Sequence, residues 1–101
     1  MKYGLSDRTL NTLNSILKRY PNINEAVLYG SRVKGNYRNG SDIDLSLKTN
    51  DEFTHRDLLH LIGDFDDSDL PYFVDVSVYA ELSNPDLKAH IDRLGVSLYN
   101  R

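Results

Sequence analysis

The run Asp42-Ile43-Asp44-Leu45-Ser46-Leu47 alternates polar and apolar residues without a break. Only an extended chain turns a period of two into two chemically distinct faces, because successive side chains on a strand point to opposite sides. Ile43, Leu45 and Leu47 then require a core on one side, while Asp42, Asp44 and Ser46 share the other. The chain must therefore build a sheet that is covered on one face and polar on the other at this strand.

The segments around this strand supply that cover. At 101 residues the chain fits one domain, 1–101. Leu10, Leu13, Leu17 and Tyr20 recur at spacings of three and four, which predicts a helix from Ser6, a natural N-cap, to Tyr20, ahead of Pro21-Asn22. Ala26-Val27-Leu28-Tyr29 reads as a short buried strand ending at Gly30. Thr54 to Phe65 reads as a helix, with Leu58, Leu61, Ile62 and Phe65 on one side. Tyr72 to Tyr79 reads as a third strand, with Val74, Val76 and Val78 on its apolar face. Asn84-Pro85 starts a last helix that Gly95 stops, and Val96 to Tyr99 adds a terminal strand. Such alternation predicts an α/β (α+β) domain, a small mixed β-sheet packed by helices.

Two carboxylates about 7 Å apart on one strand face repel each other unless something brings them together. Asp75 stands between Val74 and Val76, and it faces the same site as Asp42 and Asp44 if the third strand pairs beside the second. Three carboxylates make an all-oxygen donor set suited to magnesium, although a solvated sheet face or a salt bridge explains the same pattern. Upstream, Tyr29-Gly30-Ser31-Arg32 leaves the first strand through a glycine that permits close backbone approach. A short helix starting at Ser31 would offer free N–H groups and a hydroxyl to an anion, with Arg32, Lys34 and Arg38 nearby as cations. Gly30 and Gly35 have P-loop spacing, but Asn36-Tyr37 replaces the lysine and hydroxyl that a P-loop needs.

Gly30-Ser31-Arg32-Val33-Lys34-Gly35, then Ser41-Asp42-Ile43-Asp44-Leu45, then Val74-Asp75-Val76 resemble the polymerase-beta-type nucleotidyltransferase superfamily, and within it the minimal nucleotidyltransferases paired with HEPN-domain proteins. The resemblance implies a nucleotidyltransferase fold and a magnesium-dependent enzyme, with two ions held by Asp42, Asp44 and Asp75, which are also the catalytic residues. It implies that Gly30, Ser31, Arg32 and Lys34 hold the phosphates of ATP. It further implies an antitoxin that moves AMP to a tyrosine of a HEPN-domain toxin, the partner supplying what a chain this short leaves out. Nucleotidyl transfer to a small-molecule hydroxyl, and an antitoxin that only binds, are the alternatives.

A net charge of -3 argues against a duplex nucleic acid as partner. No apolar run approaches the ~18 residues of a membrane span, and Met1-Lys2-Tyr3-Gly4 is not followed by the apolar stretch of a secretory leader. The absence of cysteine excludes disulfides and thiolate metal sites and agrees with a cytoplasmic location. The acidic run Asp64, Asp66, Asp67 and Asp69 reads as a solvated turn, since Asp69 occupies the position where an EF-hand requires glycine. His55, His60 and His90 read as partly exposed structural residues, and the seven tyrosines as members of the core.

Overall fold

A computed structural model describes residues Met1–Arg101 as α1 (Asp7–Leu17), β1 (Ile23–Tyr29), α2 (Ser31–Lys34), β2 (Ile43–Thr49), α3 (His55–Asp66), β3 (Val74–Val78), a 3-10 turn (Tyr79–Glu81), α4 (Pro85–Leu94) and β4 (Val96–Asn100). The helices begin where side chains can satisfy their first N–H groups. Ser6 Oγ accepts the Thr9 N–H at 3.1 Å. Thr54 and Asp57 form a reciprocal capping box on α3 at 3.1 and 2.9 Å. Asn84 Oδ1 accepts the N–H groups of Asp86 and Leu87 ahead of α4 at 2.9 and 3.3 Å. Helix α1 stops at Leu17 rather than Tyr20, because the Arg19 and Tyr20 N–H groups turn back to Ile16 and Leu17 and tighten the last turn.

The sheet has the order β3-β2-β1-β4. Strand β1 runs antiparallel to β2 and to β4, while β3 lies parallel to β2, so the sheet is mixed. The parallel pair needs a crossover, and α3 provides it. Strand β1 begins three residues earlier than its apolar run, where a register shift between Ile23 and Glu25 interrupts the alternation. Strand β3 is shorter than expected at both ends, and Tyr79 leaves it in the 3-10 turn.

One face of the sheet carries the core. Ala26, Leu28, Ile43, Leu45, Leu47 and Val74 meet Leu13, Ile16 and Leu17 of α1 and Leu61 and Phe65 of α3. The acidic run is solvated at Asp66, Asp67 and Asp69, the last pairing with Arg8 on the surface at 3.0 Å, while the half-buried Asp64 accepts the Tyr20 hydroxyl at 2.5 Å and links α3 to the turn after α1. Helix α4 crosses the opposite face over β1, burying Ile91 and Val27. A β-carbon at Gly95 would collide with Val27, so the close seat of α4 depends on that glycine. No helix is long and apolar enough to cross a membrane.

Candidate active site

The face left partly open by α4 carries the polar residues of β2 and β3. Parallel pairing sets Asp44 opposite Asp75 and Ser46 opposite Ser77, and antiparallel pairing sets Tyr29 opposite Asp44. Directly opposed residues share a face, so Tyr29, Asp44 and Asp75 form a row across three strands. Ser77 Oγ donates to Ser46 Oγ at 3.3 Å and extends the polar strip inward. Asp42 lies one residue before β2 begins, exposed at the mouth of the strand.

These carboxylates feel one another. Burial first, then the charges of Asp75 and Asp42, push the Asp44 carboxyl above its ordinary range, while Arg32 opposes the shift. Burial, with added repulsion from Asp44 and Asp75, likewise pushes up the Tyr29 phenol, against a hydrogen bond with Ser77. No three Asp, Glu, His or Cys side chains converge into a ready-made cation cage. The donor chemistry nonetheless suits a hard cation, since every ligating atom on offer here is a carboxylate or hydroxyl oxygen.

The exit of β1 is pressed against the same carboxylates. Gly30 takes φ 83° and ψ -150°, a conformation that side-chain-bearing residues rarely adopt, and a β-carbon there would collide with Asp44 Oδ2. Helix α2 follows at once, so the N–H groups of Ser31, Arg32 and Val33 have no partner within it. Ser31 is half-buried beside the turn, and Lys34 is exposed at the end of α2.

Arg32 stands elsewhere than a phosphate-binding cation would. It is only 3% exposed. Its Nε and Nη2 donate to the Ser41 carbonyl at 3.2 and 2.7 Å, and Nη1 donates to the Tyr3 carbonyl at 3.0 Å. The guanidinium also lies over the rings of Tyr37 and Tyr72, at 5.4 and 4.5 Å. Arg32 therefore ties α2 to the residue just before Asp42, and its charge reaches Asp44 only from within the fold. Arg38 is exposed in the loop, where its N–H donates to Ser41 Oγ at 2.9 Å.

Two residues escaped the sequence reading. Tyr29 is in the carboxylate row rather than the core, which its position beside Gly30 at the strand end signals. His90 has a partner that no local pattern reveals: its Nε2 accepts the Gly30 N–H at 3.2 Å across 60 residues. A groove of about 670 Å³ lies on the helical side between α1 and the end of α3, away from the carboxylates.

Residues 11–101 match the family model described as polymerase beta, nucleotidyltransferase. Among solved structures, a toxin-antitoxin complex with AMP-PNP shares the fold with a TM-score of 0.74 at 22% identity, over 91% of this chain and 73% of that one. A Shewanella oneidensis complex of a tri-AMPylated HEPN toxin with an MNT antitoxin gives 0.71 at 18% identity, over 96% and 74%. The toxin-antitoxin complex MntA-HepT gives 0.70 at 18%, over 95% and 74%. Among curated proteins, none matches this sequence.

Proposed function

We infer the function of this chain from the family to which it belongs, the polymerase beta nucleotidyltransferases. We propose that it transfers AMP from ATP to a hydroxyl, the acceptor being a tyrosine of a HEPN-domain toxin, and so acts as an antitoxin. The observation that carries this reading is the contact of Gly30 with Asp44, beside the Asp44 and Asp75 pair. One turn of chain offers donors to phosphate while the adjacent strands offer carboxylates, all at one sheet edge. The fold shared with the complexes that hold AMP-PNP and an AMPylated HEPN toxin supports the choice of nucleotide and acceptor.

In this reading Ser31 Oγ and the free N–H groups of α2 hold the terminal phosphates, and Lys34 adds a positive charge from the surface. Asp42, Asp44 and Asp75 would hold magnesium, two ions, which when bound neutralises phosphate charge and screens the carboxylates from one another. The acceptor oxygen attacks the α-phosphorus, its proton passes to the Asp75 carboxylate, and pyrophosphate leaves with the bond to the α-phosphorus broken. The role assigned to Arg32 is positional: it keeps Ser41, and so Asp42, in register with α2.

Co-expression with the HEPN partner followed by mass spectrometry tests the reading. The partner should gain the mass of AMP with the wild type and not with Asp42→Ala plus Asp44→Ala. An unmodified partner in both cases would leave a blocking role and remove the catalytic one. Modification of a small hydroxyl compound in place of the partner would redirect the acceptor.

A further inference from the structure

The hydrogen bond from Gly30 to His90 lies outside the glycine-serine and paired-aspartate signature, yet it fastens the turn on which that signature depends. Gly30 leaves strand geometry at φ 83°, so its N–H turns out of the sheet ladder and needs another acceptor. Helix α4 brings one. Ile91 is 3% exposed and anchors the helix on β1, and Gly95 allows close contact with Val27. Those two fixed points set His90 over the turn, where its ring also meets the Tyr29 ring edge-on at 6.1 Å.

We propose that His90 is a positioning residue for nucleotide binding: its Nε2 accepts the Gly30 N–H and holds the turn in the conformation that aims Ser31 and the α2 N–H groups at the phosphates. The proposal rests on the reading of Gly30-Ser31 as the triphosphate seat. An Nε2 acceptor requires the neutral imidazole with its proton on Nδ1. The surroundings favour that form, because burial, then Lys34 from α2 and Arg93 from its own helix, hold the imidazole below its ordinary range. The titratable group facing it from β1 is Tyr29. Protonation would replace the acceptor by a second donor, and the turn would lose its fastening.

The test compares wild type, His90→Gln and His90→Leu. A glutamine carbonyl can accept the same N–H; leucine cannot. Binding of AMP-PNP with magnesium is measured by calorimetry across pH, melting temperature is recorded for each variant, and the Gly30 amide is followed by NMR in wild type without nucleotide. His90→Leu should bind about 3- to 10-fold more weakly, and His90→Gln should stay within about twofold of wild type. Wild-type affinity should fall as the imidazole protonates, more steeply than that of His90→Gln, and the Gly30 amide resonance should move with the same midpoint. His90→Leu that melts like wild type and binds equally well, or His90→Gln that weakens as much as His90→Leu, overturns the proposal. A Gly30 amide indifferent to the His90 titration overturns it even if His90→Leu does not fold. Wild type that takes no AMP-PNP, while its Gly30 amide follows His90, overturns the triphosphate reading and the proposal with it.

Discussion

At the scale of single residues, the site is a balance between strain and charge. Gly30→Ala places a β-carbon against Asp44 in a backbone region hostile to it. The substitution should cost about 1–3 kcal/mol in denaturant melts and weaken nucleotide binding by more than about tenfold. Asp44 illustrates the opposite trade. A carboxyl whose folded-state pKa is raised binds its proton more tightly when folded, so stability is greatest below the ordinary aspartate range and falls as pH rises through the raised value. At neutral pH the ionised Asp44 therefore opposes folding. Asp44→Asn should raise the melting temperature at pH 7 by roughly 2–5 °C, lose that advantage in acid, and abolish transfer. The special backbone of Gly30 and the placement of Asp44 and Asp75 on the polar faces of their strands were legible because glycine freedom and strand alternation are local properties. Arg32 was legible as a cation but not as a buried one, since its carbonyl partners at Tyr3 and Ser41 depend on how three segments meet. His90 was illegible for the same reason, its acceptor role being created by a helix crossing a sheet.

Elements were easier to anticipate than their limits. Apolar spacing located α1, α3 and α4, and serine and asparagine marked the starts of α1 and α4, because a capping side chain must stand beside the N–H groups it satisfies. Strand ends depended on neighbours. The early start of β1 comes from pairing across a register shift, and the late start of β3 from the partner it meets in β2. Parallel pairing of β2 with β3 could be posed from the sequence only as a condition, since alternation does not say which strands are adjacent. Asn84→Ala removes the cap of α4 and should cost about 0.5–2 kcal/mol by thermal or chemical melts. Leu61→Ala on α3 empties a fully buried site and should cost about 2–5 kcal/mol. The first variant should also blur the Gly30 amide signal, because α4 carries His90; the second should leave it sharp in the folded fraction.

For the molecule as a whole, the carboxylate edge is the place where a ligand has most to offer. Anything that binds only the folded state stabilises it, by about 2.7 kcal/mol at a hundredfold excess over its Kd. ATP with magnesium should therefore raise the melting temperature, and EDTA should reverse the gain; equal melting curves with and without the pair would contradict the proposed seat. The position of β3 at the rim of the sheet has a practical outcome for the acceptor. Asp75 is exposed on an outermost strand, so under the proposed function an incoming hydroxyl would meet it from the side and pass through no tunnel. A tyrosine carried on the outside of a folded protein can reach such a ledge without leaving its own surface, whereas a small free alcohol would find little there to hold it still. Selectivity would then reside in how two surfaces abut, and a toxin would be recognised by its shape before any bond is made.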